Sequence, residues 1–160
     1  MAFRLVSSLG GVIDPAFVNV PASGTIHPSQ VVDFDRTGGL GVTPASMNSS
    51  VTTIFGVCLD YVQGASDTYV RVVPFAPGQI WEVDCDEAVT TAHIGSRMGL
   101  SRTRDNKSIY PNATDSLTST AVFQCIGMVG STSGSGKLIG FFRAGMTTGV
   151  PTEVGNVSAY

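Results

Sequence analysis

Residues 51–85 read VTTIFGVCLDYVQGASDTYVRVVPFAPGQIWEVDC, and this stretch decides the fold class. Val51, Ile54, Phe55, Val57 and Leu59 make a β-branched and aromatic run that closes on Gly64-Ala65-Ser66-Asp67. The closing residues are turn chemistry, because Gly tolerates positive φ and Asp hydrogen-bonds its own backbone. Residues 68–75 then alternate Tyr69, Arg71 and Val73 with Val70 and Val72, so a strand here has two different faces. Pro74 and Pro77 end it. Residues 79–85 alternate again, with Trp81, Val83 and Cys85 on one face and Glu82 and Asp84 on the other. The pattern predicts three strands in a row, the first two a hairpin, with Val57, Leu59, Trp81 and Val83 in or beside a core.

Downstream, residues 120–129 (TAVFQCIGMV) and 137–143 (KLIGFFR) flank the turn STSGSG and predict a second hairpin, with Val122 and Phe141 in or bordering the core. Residues 85–101 are ambiguous. Positions 86–92 can form one helical turn, but Gly95 and Gly99 interrupt anything longer, and short strands in irregular structure are expected. Upstream, residues 30–34 predict a strand and residues 35–50 (DRTGGLGVTPASMNSS) a long loop. No sustained 3.6-residue apolar period, heptad or fixed repeat is present, so an all-β, compact β-sandwich or small barrel is the economical fold.

Residues 1–30 differ in texture. Short apolar pieces at 3–6 and 17–20 are separated by Gly10-Gly11, Pro15, Pro21, Gly24 and Pro28. Proline removes a donor and fixes φ, so neither a long helix nor a central strand suits this segment. One reading is an extended N-terminal arm (1–30) ahead of a β-rich domain (31–160), able to add a strand to a neighbouring sheet edge. The other is an ordinary edge strand and loop within the same subunit. On the arm reading, Phe3, Leu5, Phe17 and Val18 are the candidate interface residues.

The chain has 160 residues, enough for one domain with a real core. Charged residues make up only 13%, about half the usual share, whereas Gly supplies 19 positions and Ser and Thr 17 and 16. The expected surface is neutral and rich in hydroxyls. A net charge of -3 gives no general attraction to nucleic acid. Locally, Arg97, Arg102, Arg104 and Lys107 cluster in RMGLSRTRDNK, which reads either as a solvated loop or as a contact for an acidic protein surface. On the second reading Arg102 and Arg104 are the candidates.

Cys58, Cys85 and Cys125 are odd in number and sit within apolar strand patterns, where a free thiol packs as a small hydrophobe. No spacing suggests zinc, and a reducing site of synthesis follows. The start, MAFRLVSSLGG, carries an apolar stretch too short for a signal peptide, and no run approaches the roughly 20 residues of a membrane span. Synthesis in a cytoplasm, without a membrane partner, is the expectation. The sequons at Asn48, Asn106, Asn112 and Asn156 are then products of a Ser/Thr-rich chain.

Catalytic motifs are approached but not met. Gly134-Ser135-Gly136-Lys137 suggests a phosphate loop, yet the first glycine of that motif would fall at Ser131 and the magnesium-binding hydroxyl at Leu138. Gly11-Val12-Ile13-Asp14-Pro15 resembles the uracil-binding motif of trimeric dUTP pyrophosphatases, but two motifs that precede it in that family have no room here. His27 and His93 occur in no metal-binding spacing, and Asp84, Asp86 and Glu87 lack the alternation of a calcium loop. No serine occupies a G-x-S-x-G elbow. A non-enzymatic protein without cofactor or metal is expected.

Taken in order, the run IFGVCLDYVQGASDTYVRVVPFAPGQIWEVDC, the TTAHIGSRMGLS segment, a polar loop, VFQCIGMVG and the closing KLIGFFR resemble the small capsid decoration, or cement, proteins of tailed bacteriophages. The resemblance spans about residues 45–145. It implies a β-tulip-like subunit, often a homotrimer, that binds major capsid protein on the outer surface of the virion at three-fold and quasi-three-fold positions and stabilises the expanded shell. It implies no chemistry and no cofactor. The alternatives are a fibre-head type of ligand-binding β-sandwich and a trimeric nucleotide-hydrolysing β-barrel enzyme.

Overall fold

The computed structural model describes residues 3–8, 17–35, 41–63, 68–85, 88–102, 109–111, 120–130 and 136–144. In chain order its strands are β1 (Phe3–Ser8), β2 (Val18–Ala22), β3 (Val31–Asp35), β4 (Gly41–Pro44), β5 (Ile54–Cys58) and β6 (Thr68–Pro74). There follow β7 (Gln79–Asp84), β8 (Arg97–Met98), β9 (Leu100–Arg102), β10 (Ile109–Pro111), β11 (Phe123–Val129) and β12 (Lys137–Phe142). A single 3-10 turn, Thr91–His93, is the one helical element among the described residues. The protein is all-β.

Two bodies divide the strands. Strands β2-β4-β3-β5-β6 close into a barrel, and β1-β7-β12-β11-β8 form an open antiparallel sheet, with β9 and β10 as a separate ribbon. Both predicted hairpins are present: β5 pairs antiparallel with β6, and β11 with β12. The third strand of the decisive stretch does not extend the first two. Residues 76–78 turn with Gly78 at φ 84°, and the chain leaves the barrel to become the second strand of the sheet.

The two bodies share one wall. In β3, β5 and β6 consecutive residues are both buried, and each pair divides between two cores. Val32, Cys58 and Val72 fill the barrel with Ala22, Ile26, Val42, Val62 and Val70. Their neighbours Val31, Val57 and Val73 point the other way, into a larger core shared with Phe3, Trp81, Val83, Met98, Phe123, Leu138 and Phe142. Alternation along a strand produces this division, and burial on both faces explains the continuous apolar runs. Gly56 belongs to the same wall, where a Cβ would collide with the backbone oxygen of Val73.

Phe142 is the hub of the larger core. Its ring stacks on Phe75 at 4.1 Å between centroids and meets Phe123, Phe3 and Trp81 at 5.2, 5.7 and 5.9 Å. Phe142, not Phe141, thus takes the core position on β12, while Phe141 is half-buried in the alternate register. Leu59 also departs from expectation. It lies just beyond β5, where the pattern of Val57 and Cys58 no longer holds it inward, and it is exposed. The expected loop 35–50 contains β4, which pairs with β3 and, through Ala22 and Val42, runs parallel to β2. Its one fully buried side chain, Val42, is too little to make an apolar pattern in sequence.

Of the two readings of residues 1–30, the described residues take the intrasubunit one. Phe3 faces Val83 and Leu5 faces Trp81 across β1 and β7, and Val18 to Ala22 pair with Val72 to Thr68 to complete the barrel. On the outer face of the sheet Arg4 donates to Glu82 at 2.9 Å, and Lys137 reaches both Glu82 and Asp84 at 3.3 Å. This ladder ties β1, β7 and β12 together.

Phe142→Ala is expected to cost about 3–5 kcal/mol in urea unfolding, the range for removing a large buried aromatic side chain. Deleting residues 2–20 removes β1 and most of β2, and should abolish cooperative unfolding as followed by circular dichroism. A truncated protein that unfolds as sharply as the full chain would show that the first two strands are dispensable.

Candidate functional site

The barrel wall not covered by the sheet carries the clearest surface feature. Strand β6 sends Tyr69, Arg71 and Val73 outward; the sheet covers Val73 and leaves Tyr69 and Arg71 exposed. Tyr69 is 66% exposed, and Tyr61 and Phe17 are 55% and 49% exposed. Leu59, whose backbone bonds that of Arg71, is exposed as well. Such side chains on the surface of a barrel lose contact with water only when something else covers them.

Arg71 stands at the centre. Its Nε donates to Asp60 Oδ1 at 3.0 Å and its Nη2 to the same oxygen at 2.5 Å, while its backbone N–H donates to Asp60 Oδ2 at 2.8 Å. Leu59 N–H donates to the Arg71 carbonyl at 2.9 Å, which fixes the segment after β5 against β6. The Arg71 guanidinium carbon lies 5.7 Å from the centre of the Phe17 ring. The cation is therefore held between a carboxylate and an aromatic ring, an arrangement that suits guanidinium rather than ammonium. Hydrogen bonds from Arg71 outweigh the burial that would raise Asp60, and hold its carboxyl below the ordinary value. The site is an aromatic surface with its own charge neutralised. Tyr, Phe and Arg in this combination are the side chains enriched where proteins meet.

Other titratable groups serve local structure. His93 Nδ1 accepts from the Thr90 backbone N–H at 3.0 Å, and the His27 ring tilts against Tyr61 at 5.3 Å. All three cysteines are free. Burial pushes the Cys58 and Cys125 thiols up, and each donates to a nearby carbonyl, of Asp60 and Gly127. Among the described residues no group of three or more His, Cys, Asp or Glu could hold a metal ion, and no helix is long and apolar enough to cross a membrane.

The structure does not bring the six sequence candidates together. Phe3 is buried in the larger core and Leu5 packs against it, so neither offers a surface to a partner. Phe17 lies on the exposed barrel wall beside Arg71, whereas Val18, opposite Val72, shares the inward face with Val20 and Ala22 although it is part-exposed. Arg102 ends β9 opposite Ile109, with its side chain outside the described residues, and Arg104 lies outside them altogether. Tyr69, Arg71, Asp60 and Tyr61 are additions. The shared face of Tyr69 and Arg71 was visible as alternation; the return of Asp60 to Arg71 depends on the hairpin register. Comparison with known proteins finds no family model that matches the chain and no curated protein that matches it.

Asp60 and Glu82 both titrate below their ordinary values in the folded protein. Burial would raise Glu82, but hydrogen bonds from Arg4 and Lys137 together prevail. Each carboxylate thus adds stability that is complete above its unfolded pKa, near 4, and is lost as pH falls through the lower folded value. Thermal midpoints measured between about pH 6 and pH 2 should fall for the native chain and fall less steeply for Asp60→Asn and Glu82→Gln. Parallel curves for all three would show that these pairs make no difference to acid stability.

Proposed function

We propose that the protein is a structural capsid decoration protein that binds major capsid protein on the outside of a bacteriophage head and helps hold the expanded shell together. The observation that carries this reading is the exposed aromatic wall around a self-neutralised Arg71–Asp60 pair, a surface made for covering by another protein. The order of strand segments along residues 45–145 supports it, as does the low charge fraction. Neutral faces can be buried without the desolvation cost that unpaired charges carry. On a symmetric shell, modest contacts repeated many times add up to firm attachment. A homotrimer at three-fold positions is the arrangement this reading favours, and the outer virion surface is its location. Neither catalysis nor a cofactor has a part in it.

The test mixes purified protein with expanded, undecorated heads built from the cognate major capsid protein. Symmetric outer density is expected in a reconstruction, and Tyr69→Asp should reduce its occupancy about tenfold by placing an unpaired charge in the contact. Absence of density with the native chain would overturn the proposal. Binding to a saccharide array without binding to heads would point to the fibre-head alternative. Mass measurement in solution and on the shell checks the trimer; a monomer in both states would refute it.

A further inference from the structure

Six of the described charges form ion pairs, and two carboxylates are held by serine hydroxyls. Arg4 and Lys137 hold Glu82 and Asp84, and Arg71 holds Asp60. Asp35 accepts from Ser23 Oγ at 2.8 Å, and Asp33 accepts from Ser49 Oγ. Of the described cations, Arg97 and Arg143 are the two with no described carboxylate against the guanidinium. They belong to the same corner of the open sheet. Arg97 lies on the edge strand β8 opposite Gln124 of β11, and Arg143 follows β12 with its backbone N–H donating to Val122 O at 2.7 Å.

Arg143 is positioned rather than loose. Its Nη1 donates to the Ala121 carbonyl at 2.8 Å, which fixes the guanidinium and leaves its other N–H groups for an acceptor. Arg97 opposite Gln124 and Arg143 beside Val122 place the two cations two residues apart along the β11 segment on neighbouring strands; burial first, and the like charge of Arg97 second, lower the Arg143 pKa. Guanidinium remains charged regardless. This pair of like charges has no described carboxylate against it.

We propose that the Arg97–Arg143 corner is a docking point for an acidic segment of a protein partner, whose carboxylates relieve the repulsion between the two guanidinium groups. Bidentate pairing of guanidinium with carboxylate gives such a contact its geometry. The five described carboxylates of a second copy are already engaged, with cations or with serine hydroxyls. Nucleic acid is disfavoured too, since tracking a phosphate backbone needs a row of cations and the chain is net negative. On the decoration reading, on which this identification of the partner rests, the segment belongs to the shell subunit.

Titration of the full-length, arginine-labelled protein with a hexaglutamate peptide tests the corner independently of any capsid. The side-chain Nε–H signals of Arg97 and Arg143 should shift together while those of Arg4 and Arg71 stay, and Arg97→Glu should abolish the response. Because Arg97 is exposed, that variant is expected to keep the native thermal midpoint; Arg143→Gln, which retains a donor for Ala121, serves as the second variant. Equal shifts at all four arginines, or a stronger response to oligothymidylate of the same length, would overturn the proposal, the latter in favour of nucleic acid. Expanded heads then separate the two ideas. If the peptide binds the corner but the native chain fails to bind heads, the decoration reading falls and the docking point stands. If heads bind native chain and Arg97→Glu equally and the peptide does not bind, the docking point falls and decoration stands.

Discussion

The structure depends on a wall that is buried on both sides. Strands β3, β5 and β6 line the barrel with one set of side chains and support the open sheet with the next, so each must supply an apolar residue at consecutive positions. Val31-Val32, Val57-Cys58 and Val72-Val73 do this. A polar residue at any of these places would lose its hydration without gaining a partner. The closeness of β5 to β6 that this requires leaves room only for glycine at position 56, because the obstacle is the fixed carbonyl of Val73. Gly140 meets the same condition in the sheet, where a Cβ would meet the Gln124 carbonyl and the Phe123 ring. Cys58 and Cys125, buried and protonated, are packing groups in these two layers.

Local signals were legible and long-range pairings were not. Alternation located β5, β6, β7, β11 and β12, and turn residues joined four of them into the two hairpins. The same alternation placed Glu82 and Asp84 opposite Trp81 and Val83, which the structure bears out. It did not show that Pro74 to Gly78 change sheets, since proline marks the end of a strand and not the destination of the next. β4 escaped because its contribution to the core is a single valine between glycine and proline. Phe141 and Phe142 are adjacent aromatics, so only the register with Phe123 decides which one faces inward. The exposed wall was half legible: Tyr69 and Arg71 share a face by periodicity, whereas Phe17 reaches Arg71 only through the pairing of β2 with β6.

The surface follows one electrostatic rule. Charged groups are few, and six of the described ones are placed so that their fields cancel within a few ångströms, on the barrel through Arg71 and Asp60 and on the sheet through Arg4, Glu82, Lys137 and Asp84. Surface regions whose charges cancel locally have little long-range pull on their surroundings, and specificity there depends on shape and on unpaired charges nearby. The aromatic wall and the Arg97–Arg143 corner supply these two elements. Under the decoration proposal the first would contribute contact area and the second register.

Closing the barrel also fixes the order in which the molecule can be completed. β5 and β6 are neighbours in sequence and can meet early, but Phe3 finds its partner only at Val83, and Lys137 of β12 must arrive before Asp84 has its neighbour on the far side. During synthesis β1 emerges first and waits longest, its apolar residues exposed until the middle of the chain has been made. Non-local pairing of this kind slows folding and lengthens exposure to misassociation. The composition of the first strand tempers that hazard: in FRLVSS an arginine interrupts the apolar residues and two serines end them, a sequence ill suited to pairing with copies of itself.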